Sequence, residues 1–241
     1  MMGKISYNYS PNFSPIKRIS KNIKYIVFHY TGMKSEKAAI NRLTDVKSKV
    51  SSHFFIKRNG NIILMVPEKF VAWHAGVTNW KNVKSLNNYS LGIEIQNFGH
   101  KHGYQSFTKR QIASIVKITK YLKKKYNIKK SNLLGHSDIA INRKLDPGEK
   151  FPWKILSKYK LCRWHKIPSF KLKKLRKIKT SHKEKKRFFI YIKKIGYFFN
   201  IRNSKEKFLV TKIFQMRFRQ ELINGKIDQE IFQIAKYLSH S

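Results

Sequence analysis

The first run of apolar positions, Ile23 with Tyr25, Ile26, Val27 and Phe28 in "IKYIVFHYTG", is nearly continuous and stops at Thr31-Gly32. Continuity over so few residues is the pattern of a buried strand, and it leaves His29 at a strand end. In "SSHFFIKRNGNIILMVPE" two β-rich runs join through Asn59-Gly60, residues that tolerate the positive φ of a tight hairpin turn, and Pro67 ends the second leg. "SLGIEIQN" is another short apolar strand and carries a single acid, Glu94. From Thr108 the period changes. Ile112, Ile115, Val116, Thr119, Leu122 and Tyr126 share one face of a helix, and Thr108 with Gln111 makes a capping box at its start. "KKSNLLGHSD" then returns to a short strand or turn ending at Gly135-His136.

Strands, helix and strand in this order predict an α/β fold, a central mostly β sheet flanked by helices, with site residues collecting at strand ends and loops. Beyond about Tyr159 the pattern fades into "KLKKLRKIKTSHKEKK", which reads as an exposed basic linker. Helical spacing resumes in "RFFIYIKKIGYFFN", "KEKFLVTKIFQMRFRQELI" and "IDQEIFQIAKYLSH", separated by 200–204 and by Asn224-Gly225, with Asp228 placed to cap the last helix. The expected division is a catalytic domain over 15–160, a linker over 161–186 and a small all-α bundle over 187–241. Because the chemistry-bearing residues all lie upstream, a chain ending near Leu161 is expected to keep its activity.

Composition changes the picture in one respect. The chain has 53 Lys and Arg against 12 Asp and Glu, a formal charge of +41. Such a charge attracts polyanions: nucleic acid, anionic lipid surfaces or acidic wall polymers. Abundant Lys, Ile and Asn are also what an AT-rich coding sequence yields, so a merely solvated basic face stands beside that reading. Stacking aromatics are sparse in the basic stretch 160–186, where Trp164 and Phe170 stand alone, so specific nucleic-acid binding is not expected. The single Cys162 excludes an intrachain disulfide. The first twenty residues lack the apolar core of a secretory signal and no apolar run reaches about 18 residues, so the expected location is the cytoplasm, with the periplasm or cell envelope as the alternative.

With acids so scarce, the stretch "LLGHSDIAINRKLDPGEKFPW" stands out. His136 follows a predicted strand, and Asp146 lies ten residues on in a loop fixed by Pro147 and Gly148. Together with His29 they make two imidazoles and a carboxylate, a set suited to Zn²⁺ with a fourth position open to water. Spacing alone leaves open that these His are hydrogen-bonded structural residues.

The ordered blocks "YIVFHYTG", "SSHFFIKRNGNI", "WHAG", "SLGIEIQN" and "GHSDIA..RKLDPGEKFPW" resemble the zinc-dependent N-acetylmuramoyl-L-alanine amidases, over roughly Ile23 to Leu156. The resemblance implies zinc ligands at His29, His136 and Asp146, a general base at Glu94 and an oxyanion-stabilising cation at Lys144. It implies substrate contacts at His74, a buried structural His being the other reading, and at Trp73, with Asn97 either bonding substrate or simply ending its strand. His53 reads as structural, and Asp138 as a cap or orienter of the His136 loop. Asn142 and Leu145 depart from residues common at those places, without removing a reacting group. The tail "FQMRFRQELINGKIDQEIFQIAKYL" resembles the helical peptidoglycan-binding module of such enzymes, a stabilising appendage being the other reading. The implied partners are peptidoglycan or its anhydro-muropeptide fragments, with anionic wall polymers on the basic linker. A wall-binding protein without catalysis is the alternative, and the full ligand set argues against it.

Overall fold

The computed structural model describes residues 5–240. Among these lie ten strands: β1 (Ile5–Tyr7), β2 (Phe13–Ser14), β3 (Tyr25–Tyr30), β4 (Phe54–Ile56), β5 (Ile62–Leu64), β6 (Val71–Ala72), β7 (Asn79–Trp80), β8 (Val83–Lys84), β9 (Ser90–Ile95) and β10 (Leu133–Gly135). Eight α-helices accompany them: α1 (Glu36–Thr44), α2 (Lys109–Tyr126), α3 (His136–Ile139), α4 (Trp153–Lys158), α5 (Ser169–Leu175), α6 (His182–Ile195), α7 (Ser204–Phe218) and α8 (Gln229–Ser239).

Six strands form the central sheet in the order β1-β5-β4-β9-β3-β10. Its pairs are parallel except β4 with β5, the hairpin whose turn carries Gly60 at φ 88°. Because side chains alternate across a strand, β3 sends Ile26 and Phe28 to one face and Tyr25, Val27 and His29 to the other. The first face meets α2, whose capping box at Thr108 and Gln111 is formed on both sides. Ile115, Ile118 and Leu122 of α2 are fully buried against Ile26, Phe28, Ile93 and Ile95; each such side chain contributes roughly 1.5–3 kcal/mol.

The second face is shared. Toward the β4–β5 side α1 covers it, packing Ala39 and Leu43 on Phe55 and Ile63. Toward β10 it is covered by the C-terminal helices, where Tyr25, Val27, Leu134 and Ile139 belong to one apolar cluster with Phe188, Ile192, Val210, Phe214, Ile231 and Leu238. Between the two covers the sheet is left open, and the strand ends of β3, β9 and β10 look into that gap.

The helical tail thus shares its core with the sheet. The segment read as a basic linker holds α5, with Leu172 buried, and also the start of α6, capped by Ser181. One buried leucine among lysines gives too thin an apolar stripe to register in the sequence. Asp228 caps α8, its side chain accepting from the Ile231 N–H. Among the described residues no helix is long and apolar enough to cross a membrane.

Candidate metal centre

The parallel register of β3 and β9 sets His29 beside Glu94. Residues paired across a ladder point to the same face, so both side chains enter the gap in the sheet's cover. His136 begins α3 where β10 ends, and Asp146 follows in a turn whose Ser137 N–H bond to the Asp146 carbonyl, 2.8 Å, ties the two loops together. His29 Nδ1, His136 Nδ1 and Asp146 Oδ2 then stand 3.0 Å from one another in each pairing. All three residues are buried, and among the described residues they form the one group of three or more ligating side chains.

Hydrogen-bond partners fix which ring nitrogens carry protons. The Ser90 hydroxyl donates to the Leu86 carbonyl at 2.6 Å, so its oxygen accepts from His74 Nε2 at 3.1 Å. His74 Nδ1 is therefore bare and accepts from His29 Nε2 at 3.0 Å. His29 Nδ1 is bare in turn. On the other side His136 Nε2 donates to the Ala75 carbonyl at 2.9 Å, which leaves His136 Nδ1 bare as well. Two imidazole lone pairs and a carboxylate oxygen converge with no proton among them, and a cation is what relieves that repulsion. The donor set, with each His oriented by its far nitrogen, fits zinc.

Titration behaviour follows from burial and from neighbours. Burial and the nearby His136 bring His29 down to about 4, against the opposing pull of Asp146. Burial pushes Asp146 up, but the two imidazoles, where they carry protons, outweigh it and hold the carboxyl well below its usual range. Glu94 has no such partner. Burial and the Asp146 charge push it up to about 8, Lys144 opposes, and its buried Oε2 makes no hydrogen bond.

These groups line a cleft of about 570 Å³ whose walls include Tyr30, Arg42, Trp73, His100, Lys101, His102, Arg143 and Lys144. The rim loop is strapped to the ligand turn: Tyr30 Oη meets His100 Nδ1 at 2.9 Å, and His100 Nε2 donates to Glu149 at 3.0 Å. A second hollow of about 700 Å³ lies between α5 and α8, lined by Lys171, Lys236 and Tyr237.

Seven of the eight residues singled out in the sequence gather at the cleft, and Asn97 does not line it. Asn97 is fully buried; its oxygen accepts from the Gly99 and Gln105 N–H groups and its amide donates to the Gln105 carbonyl, so it builds the rim loop from inside. His74 lines the cleft, and both its ring nitrogens are engaged, by His29 and Ser90. Trp73 stays half-exposed in the cleft wall. Sequence reasoning missed Ser90, whose role depends on where one hydroxyl hydrogen points, and the Ala75 carbonyl, a backbone group that any residue supplies.

A family model described as N-acetylmuramoyl-L-alanine amidase matches residues 19–149. Over 231 residues the chain is 31% identical to the N-acetylmuramoyl-L-alanine amidase AmiD of Escherichia coli, covering 90% of this chain and 82% of that one. The fold superposes on that enzyme, solved with the substrate anhydro-N-acetylmuramic acid-L-Ala-D-gamma-Glu-L-Lys, at a TM-score of 0.80 over 91% of this chain and 89% of the other, at 30% identity. It also matches AmpDh3 from Pseudomonas aeruginosa in complex with anhydromuramic pentapeptide, with TM-score 0.80, 26% identity and coverage of 99% and 98%. A sheet that brings an unprotonated His-His-Asp triangle into an open cleft, and relatives that match across nearly the whole chain, lead to one conclusion: this chain belongs to the N-acetylmuramoyl-L-alanine amidases, hydrolases of the amide between N-acetylmuramic acid and L-alanine.

Proposed function

We propose that His29, His136 and Asp146 hold one zinc ion and that the site cleaves the muramoyl–L-alanine amide of soluble wall fragments, the 1,6-anhydro form among them. The observation that carries this reading is the convergence of three bare donor atoms beside a carboxyl group that has no hydrogen bond on its inner oxygen. When bound, zinc would polarise the amide carbonyl and acidify an attacking water.

The chain's own residues supply the rest. Glu94 takes the proton from the water and hands it to the departing L-alanine amine. A carboxyl raised by burial is suited to giving that proton back. Lys144 presents a cation to the oxygen on which negative charge develops; its field already lowers both Glu94 and His29. Trp73 and the basic rim bracket a substrate that carries a sugar at one end and carboxylates at the other. His74 works one step removed, through the proton it accepts from His29.

Fragment cleavage is favoured because both solved relatives above hold anhydro-muramyl peptides. We assign the 187–241 unit a second task, attachment to the wall polymer, supported by the basic hollow between α5 and α8. Incubating the purified enzyme with anhydro-muropeptide and with sacculi, side by side, tests both. Release of free peptide with an N-terminal L-alanine, seen by mass spectrometry, is the expected product. Cleavage of a sugar–sugar or peptide–peptide bond instead overturns the reading, and failure to sediment with sacculi removes the second task.

A further inference from the structure

Asp138 stands two residues beyond the ligand His136 and is 2% exposed. A carboxylate so deep needs partners on every side. Its Oδ2 accepts from the Gly135 N–H at 2.8 Å, fixing the point where β10 turns into α3. The remaining partners come from the tail. Tyr197 Oη donates to Asp138 Oδ1 at 2.7 Å, and Arg217 of α7 pairs through Nη1 with Oδ2. Arg217 Nη2 also donates to the Leu133 carbonyl at 2.8 Å, and its guanidinium lies 4.2 Å from the centre of the Trp153 ring. Just past α7, Gln220 donates to the Phe151 carbonyl at 2.8 Å, five residues after the ligand Asp146.

A buried ion pair must satisfy its remaining donors and lone pairs, and the backbone groups that do so here lie at one place. This one takes the carbonyl of Leu133 and, through Asp138, the amide of Gly135, which bracket the strand end that presents His136. We infer that Tyr197 and Arg217 are positioning residues of the metal centre, holding Asp138 and the end of β10 so that the His136 ring stays aimed at the site. The helical tail is then part of the scaffold of the catalytic centre, and on this inference a chain ending near Leu161 would lose zinc affinity. The inference rests on the zinc reading above. Support of this kind behind a ligand is worth about 10–100-fold in metal affinity.

The test uses the full-length chain and measures zinc affinity by competition with a chromogenic chelator, together with the visible spectrum of the cobalt(II)-substituted protein. Circular dichroism confirms that each variant is folded at the working temperature. Tyr197→Phe removes one hydroxyl and no volume from the core. It is expected to weaken zinc about tenfold and to shift the cobalt spectrum. Arg217→Lys is expected to retain more affinity than Arg217→Gln, since it keeps the charge. Val210→Ala, a buried apolar position of the same helix, should lower Tm and leave the affinity and the spectrum as in the wild type. If Arg217 variants do not fold, Tyr197→Phe decides alone. Wild-type affinity in Tyr197→Phe, or equal weakening in Val210→Ala, overturns the inference. A wild-type chain that takes up no zinc overturns the metal reading and this inference with it, a result distinct from the first two.

Discussion

At the scale of single residues the site is a matter of where protons are. The relay from Leu86 O through Ser90 and His74 to His29 leaves a lone pair on His29 Nδ1, and the Ala75 carbonyl does the same for His136. Glu94 and Lys144 face the triangle without joining it, so chemistry and metal binding separate by mutation. Glu94→Gln and Lys144→Ala are expected to keep zinc and the fold while losing about 10²-fold or more in kcat. Turnover at the wild-type rate with full zinc in either variant moves that role elsewhere. That His29, His136 and Asp146 come together was legible in the sequence because each lies near the end of a recognisable element or in a Pro-Gly turn. The proton relay was not, because a hydroxyl's orientation and a backbone carbonyl leave no trace in residue types. Asn97 misled for the opposite reason: an amide just past a strand can end a loop as well as touch a ligand, and only its partners tell which.

At the scale of elements, strand register does the positioning. One residue of slip between β3 and β9 would send His29 or Glu94 into the α2 core. The strand β9 also makes room for the relay at Gly92, where an added Cβ would stand 2.4 Å from the His74 ring. Gly92→Ala is therefore expected to destabilise the fold by about 1–3 kcal/mol through overpacking and to weaken zinc by displacing His74. Thermal melts and metal titration measure the two effects, and a Tm and affinity both equal to the wild type's would refute the close approach. The β4–β5 hairpin and α2 were plain in the sequence, since their turn and capping residues act locally. The helix α5 was missed because its order comes from Leu172 meeting α8's neighbourhood, a contact made across more than fifty residues.

At the scale of the molecule, the C-terminal helices cover one side of the catalytic sheet, and the shared core couples the two units' stability. Two histidines outside the metal centre give that stability a pH dependence. Burial, then the Arg18 charge, holds His53 well below its ordinary 6.5, and burial, then Lys154, brings His165 down to about 4. Both are neutral in the fold and take a proton on unfolding. Their contribution is therefore present above pH 6.5 and is lost as pH falls toward 4, at up to about 1.4 kcal/mol per pH unit for each. Denaturant melts across that range should show the decline, and His165→Gln should flatten it; an unchanged slope in that variant would contradict the assignment. The charge of +41 is carried by the rest of the chain, because Asp138, Asp228 and Glu230 are paired with Arg217, Arg219 and Arg176 and these charges cancel among themselves. The centre itself is tested most directly by metal analysis of the purified wild-type chain beside His29→Ala, His136→Ala and Asp146→Ala. The account predicts one zinc per wild-type chain and loss of that zinc from each variant, whereas full zinc in all three would contradict it.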